Sequence, residues 1–169
     1  MKKKSKPKKK SAYRRPSWDE YFIGLANYVG TRATCDRGRS GCVIARDKRV
    51  ISTGYVGSPP GLPHCDDVGH DMHIVIGEDG IKSEHCLRTI HAEQNALAQA
   101  ARFGVELNGG TLYCKMTPCH VCAKLIISAG IKRVVAENDY QKAKMTKNIF
   151  KKSGVKLEIL NKKVMQYKK

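Results

Sequence analysis

The chain has 169 residues, 41% of them hydrophobic, and a formal net charge of +17. That length and composition suit one domain with a real core, and no apolar run approaches the length of a membrane span. The N-terminus has charge without the apolar segment of a secretory leader, so the expected address is cytoplasmic.

The charge is unevenly spread. Met1 to Arg15 carries nine Lys and Arg and no acid, leaving +8 for residues 16–169. Residues 1–16 are read as a disordered polybasic tail, able to make non-specific contact with nucleic acid, ahead of a domain over 17–169. The seven cysteines are odd in number and include one C-x-x-C pair. They are read as reduced, partly metal-bound thiols rather than a disulfide framework.

In chain order, Ser17-Trp18-Asp19-Glu20 is a capping box. It opens a first helix with Phe22, Leu25, Ala26 and Val29 at helical spacing and Gly30 as a stop. Two β-branched-rich runs, Cys42 to Ala45 and Arg49 to Tyr55, flank Arg46-Asp47-Lys48 and predict a hairpin. Residues 57–90 hold Ser58-Pro59-Pro60-Gly61, His64, His70 and His73 with little periodicity. This insertion is too long for an ordinary connection, so it is functional or held by something other than a core. A second helix is expected from about His91 to Phe103 and a strand over Thr111 to Cys114. A third helix should begin near Pro118, at its first helical position, and end at Gly130. Then come a strand at Lys132 to Ala136, a helix from Gln141 to Lys152 and a strand at Val155 to Ile159. This order predicts an α/β fold, a mixed five-stranded sheet with helices on both faces.

Two short pieces carry chemistry. His91-Ala92-Glu93 and Pro118-Cys119-His120-Val121-Cys122 supply three metal-type ligands and one carboxylate. Cys119 and Cys122, three apart at a helix start, can share one ion, and the helix N-terminus favours their thiolates. With His91 they give three protein ligands to zinc and leave the fourth position for water, as in a catalytic site. Two thiolates neutralise the zinc charge, so water there needs a nearby proton acceptor, and Glu93 is that acceptor. It would pass the proton to ring N3 and then to the departing amino group. A closed structural zinc site and a plain helix-start histidine are the competing readings.

The pattern H-x-E followed by P-C-x-x-C resembles the cytidine deaminase-like superfamily, a three-layer α-β-α fold. The surrounding words resemble deoxycytidylate (dCMP) deaminases over about Ser17 to Leu160. They are Thr53-Gly54-Tyr55-Val56-Gly57-Ser58-Pro59, His64-Cys65-Asp66-Asp67-Val68-Gly69-His70, and His85-Cys86-Leu87-Arg88-Thr89-Ile90 running into His91. The resemblance implies zinc-dependent hydrolysis of dCMP to dUMP, feeding thymidylate synthesis. It also implies a homo-oligomer, often a hexamer, with dCTP and dTTP as effectors in many members. It places Asn95 in the substrate pocket and Tyr140 at the base site; a half-buried strand-end aromatic is the other reading of Tyr140. Val56 stands where many members have a nucleotide-contacting asparagine. Phage members bind a second, structural zinc through cysteines matching Cys35 and Cys65, so the insertion should supply the other ligands from His70, His85 and Cys86. Adjacent His85 and Cys86 are not expected to reach one ion together. Arg37 and Arg39, with Arg88, are the candidate phosphate contacts.

Two alternatives stay open. One is a tRNA or polynucleotide deaminase using the basic tail, and the other is a non-catalytic zinc domain that binds nucleic acid.

Overall fold

The structure is a computed structural model that describes residues 13–76, 80, 82–161 and 163–165. Most of the basic tail, residues 1–12, lies outside them. Helix α1 is Trp18–Gly30, and the capping box forms as expected: Ser17 Oγ accepts from the Glu20 amide while Glu20 Oε2 accepts from the Ser17 amide. Strands β1 (Gly41–Arg46) and β2 (Arg49–Tyr55) are an antiparallel hairpin, turned at Asp47 and Lys48, both at positive φ.

The insertion contains a short helix α2 (Cys65–Val68) and a separate two-stranded sheet of β3 (Met72–Ile76) and β4 (Lys82–Cys86). After it come α3 (Ala92–Arg102), β5 (Thr111–Met116), α4 (His120–Ser128), β6 (Arg133–Tyr140), α5 (Lys144–Ser153) and β7 (Lys156–Ile159). The main sheet runs β2-β1-β5-β6-β7, with β5, β6 and β7 parallel and β1 antiparallel to β5. A short sixth strand, β8 (Val164–Met165), extends the far end of β6. The expected sheet is therefore present with one added strand. Among the described residues no helix is long and apolar enough to cross a membrane.

Strand alternation sends one row of side chains to each face. Val43, Ala45, Tyr113 and Val135 pack with Phe22, Ile23 and Ala26 of α1. Ile44, Leu112, Val134 and Ala136 pack on the other face with Ala96, Ala100, Ile126 and Phe150, from α3, α4 and α5. The result is the three-layer α-β-α arrangement. Glycine lets α3 lie close to the sheet: a Cβ on Gly54 would stand 2.3 Å from both the Ala92 carbonyl oxygen and the Ala96 nitrogen. The first turn of α3, which carries Glu93, therefore rests on the strand backbone.

Candidate active site

Two helix starts meet after the C-terminal end of β5, where open α/β sheets place their ligands. His91 is the N-cap of α3 and Glu93 lies in its first turn; Cys119 is the N-cap of α4 and Cys122 lies three residues on. Pro118 therefore precedes the cap instead of occupying the first helical position, because Cys119 adopts an extended backbone and its sulfur accepts from the Cys122 amide. His91 Nδ1 is 3.5 Å from Cys119 Sγ and 3.4 Å from Cys122 Sγ, and the three donor atoms lie within 4.8 Å of one another. Two sulfurs and one imidazole nitrogen at this spacing fit zinc.

The electrostatics favour the same use. The Cys119 thiol is held far below its usual range by a hydrogen bond from Cys122, with burial opposing and His91 assisting. That hydrogen bond and burial push Cys122 up. His91 rises to about 9 through its contact with Cys119, against burial and with help from Glu93. Glu93 is raised by burial, with the His91 charge opposing, and its Oε2 sits 3.9 Å from Cys122 Sγ. A carboxyl biased toward holding a proton beside a metal-type cluster is suited to proton transfer.

The loop ahead of Cys119 is pinned from behind. Thr146 Oγ1 donates to the Pro118 carbonyl at 2.9 Å, and Thr117 Oγ1 donates to Asp139 Oδ1 at 3.0 Å. Lys147 Nζ donates to the other Asp139 oxygen at 2.5 Å. Burial pulls the Asp139 carboxyl upward, but Lys147, the Tyr140 amide and Thr117 bring it below its usual value. The sequence reading missed Thr117, Asp139 and Thr146, which follow no motif.

A cavity of about 540 Å³ opens from His91, with Val56, Tyr140, Arg37, His85 and Lys142 on its walls. Val56, Tyr140 and Arg37 thus stand where substrate contacts were expected. Asn95 instead gives its amide N–H to the Tyr55 carbonyl at 2.9 Å and is not on the cavity wall. Arg39 is a correction: it forms a bidentate pair with Asp66 at 3.0 Å and bonds the Ala33 carbonyl, fastening its loop to α2 outside the cavity. Arg88 is also off the wall.

A second cluster forms where the insertion meets the loop after α1. Donor atoms of Cys35, Cys65 and His70 lie within 4.8 Å of one another. Cys35 Sγ is 3.8 Å from His70 Nδ1, and Cys86 Sγ is 3.6 Å from Cys65 Sγ. Burial first, then hydrogen bonding to Cys86, pushes Cys65 up to about 12. Cys86 goes down: burial opposes this, but backbone hydrogen bonds with Asp71 and Arg88 outweigh it. His85 does not join this set, which corrects its expected role. Side chains alternate along β4, so while Cys86 meets Cys65, His85 points away from that pair and bonds Ser83 Oγ through Nε2 at 2.9 Å. Burial and then the charges of Lys142, His91 and Arg37 lower its pKa.

Residues 16–138 match the model of the cytidine and deoxycytidylate deaminase zinc-binding region. The chain is 41% identical over 144 residues to ComE operon protein 2 of Bacillus subtilis, covering 85% of this chain and 71% of that protein. It is 39% identical over 123 residues to the deoxycytidylate deaminase of Mycobacterium phage D29, covering 72% of this chain and 94% of that one. It spans less than half the length of the two yeast deoxycytidylate deaminases that it matches. A crystal structure of cyanophage S-TIM5 dCMP deaminase in complex with dCMP and dUMP superposes with a TM-score of 0.68 at 25% identity, covering 87% of this chain and 99% of that one. The chain belongs to the cytidine and deoxycytidylate deaminase family.

Proposed function

We propose that the protein hydrolyses dCMP to dUMP and ammonia, with one zinc held by His91, Cys119 and Cys122. The observation that carries the reading is Glu93: its carboxyl is buried and raised in pKa beside three zinc-type donors. A merely structural metal site has no use for such a group. The named relatives and the cyanophage complex with dCMP and dUMP choose the substrate.

Zinc, when bound, supplies Lewis-acid activation of water. Glu93 takes a proton from the attacking water and delivers it to N3 of cytosine as oxygen adds at C4. It then takes the remaining proton from the hydroxyl added at C4 and passes it to the amino group, so that the C4–N bond breaks as C4=O forms and ammonia leaves. His91 and the two thiolates hold the metal, and the Thr117, Thr146 and Asp139 contacts hold the loop that carries Cys119.

A second zinc in Cys35, Cys65, His70 and Cys86 fits the donor chemistry of a closed structural site, with Asp36 orienting His70 through Nε2 at 3.0 Å. The domain is taken as residues 17–169, with 1–16 as a basic extension. Family resemblance further supports a cytoplasmic homo-oligomer regulated by dCTP and dTTP.

The test is to incubate the protein with dCMP, dCTP, cytidine and a single-stranded oligonucleotide while following ammonia. Rapid turnover of dCMP is expected; turnover of the oligonucleotide alone would sink the reading.

A further inference from the structure

We propose that the outer face of α1 is a binding surface for single-stranded nucleic acid, on which Trp18, Tyr21 and Tyr28 stack bases while neighbouring cations hold phosphates. The face lies across the sheet from α3 and α4, so it is separate from the His91 cluster and its cavity. Of the five aromatic side chains that are exposed among the described residues, Tyr13, Trp18, Tyr21 and Tyr28 fall on this stretch, and only Phe103 lies elsewhere. Two of the rings are held in place. Trp18 stacks on the buried Phe22 at 5.7 Å between centroids and meets Tyr21 edge-on at 5.8 Å, while Tyr21 packs against Phe22 at 5.2 Å. Each still presents 45% of its surface to solvent. Rings fixed in advance lose little freedom when a base stacks on them.

Gly24 points to a flat ligand. It stands one turn from Tyr21 and one turn from Tyr28 on the exposed side of the helix, where glycine is the least favourable residue after proline. Packing does not call for it, because a Cβ there would meet nothing within 4 Å, and its φ is not positive. The missing side chain leaves an open slot between the two tyrosines, with Tyr28 76% exposed at one end. A base can lie over the glycine against either ring.

Charge supplies the complement. Lys48 Nζ stands 5.7 Å from the Trp18 ring, and Lys48 and Arg49 outnumber Asp47 in the β1–β2 turn. The two acids of α1 are already paired, Asp19 with Arg133 and Glu20 with Arg14. Residues 1–15, with nine Lys and Arg and no acid, run directly into this helix start. A lipid surface fits less well, since α1 turns Phe22, Ile23 and Ala26 to the sheet and shows rings outward instead of an aliphatic face. Cations interleaved with stacking rings suit a flexible polyanion whose bases are unpaired.

The experiment titrates the zinc-loaded full chain into a fluorescently labelled single-stranded DNA of mixed sequence, and into the same sequence as a duplex, reading anisotropy at low and high salt. Trp18 is the one tryptophan, so quenching of its emission gives a second reading. Tyr28→Ala and Gly24→Leu should each weaken single-strand binding about tenfold, with duplex binding through charge alone unchanged. Gly24→Leu should also raise the thermal midpoint, because leucine is a good helix former, so its loss of binding is not a loss of fold. Deleting residues 1–12 should flatten the salt dependence yet preserve the effect of both substitutions. Unchanged affinity in both variants, or a wild type that holds duplex as tightly as single strand, overturns the stacking face and leaves tail charge alone. Binding of anionic phospholipid vesicles but not of the oligonucleotide overturns it in favour of a membrane. A change in assembly mass caused by either substitution overturns it in favour of a second copy of the chain. Turnover of dCMP should match the wild type in both variants, and the binding test stands whether or not that reaction does.

Discussion

The two Cys/His clusters use the same donor types but differ in what holds them and where a carboxylate sits. The His91 cluster is built on two helix starts packed against the main sheet, with Ala92 and Cys122 no more than 1% exposed. The Cys35 cluster gathers two loops, the start of α2 and the end of β4, and the hairpin it anchors leaves Ile74 and Ile76 68% and 64% exposed. In the first, Glu93 is buried beside the three donors and, among the described residues, forms no ion pair. In the second, Asp36 is exposed and bonds the His70 ring itself. A carboxylate beside the ligands can shuttle protons, whereas one on a ligand only orients it. In the proposed reading, chemistry and structural support are thus divided between similar sets of atoms.

Glu93→Gln gives the largest expected effect. It preserves shape but removes the proton carrier, so kcat should fall about 10²–10⁴-fold with zinc content unchanged. Ammonia release and metal analysis check this. Near-normal turnover would erase the functional difference between the clusters.

Cys65→Ser addresses the other side. Metal content should fall by one zinc per chain, and the hairpin should become sensitive to proteases before the core does, because few buried apolar contacts would remain to hold it. The His91 site should keep its metal. Loss of both ions together would show that the clusters are not independent.

Sequence legibility follows the same division. The proposed zinc donors and proton carrier were legible because their spacing is local: His91 and Glu93 share one turn, as do Cys119 and Cys122. The β1–β2 hairpin and the Ser17 capping box were legible for the same reason. The β3–β4 hairpin was not, since Lys82-Ser83-Glu84-His85-Cys86 shows no apolar alternation and its strand arises from pairing with β3. Arg39 was misread because its partner Asp66 is 27 residues away. Lys82 and Lys142 were hidden among 32 Lys and Arg, and only their place on the cavity wall distinguishes them.

Gly54→Ala tests how far the catalytic cluster depends on the sheet. The new methyl would overlap the backbone of α3 at Ala92 and Ala96, forcing the helix outward at a cost of about 1–3 kcal/mol. Thermal unfolding should register this, and kcat should fall as well because His91 and Glu93 ride on the displaced turn. A stability loss with unaltered kcat would mean that the helix start adjusts independently of its body.

Thr146→Val is the mildest change and the finest probe of the same dependence. Valine nearly matches threonine in volume, so the packing of α5 is retained, while the hydroxyl that bonds the Pro118 carbonyl is lost. Thr146 is 0% exposed, so that carbonyl loses a partner in a dry environment, at a cost of about 1–3 kcal/mol. Pro118 directly precedes Cys119, so the loss falls on the loop that presents one thiolate. Zinc should dissociate faster from the His91 site, as read by a chromogenic chelator, while metal at the Cys35 cluster exchanges as in the wild type. Thr146→Ser, which keeps the hydroxyl, should restore the slow rate. Equal acceleration at both sites would indicate general loosening of the fold, and recovery with serine confined to one site would assign the effect to this single hydrogen bond.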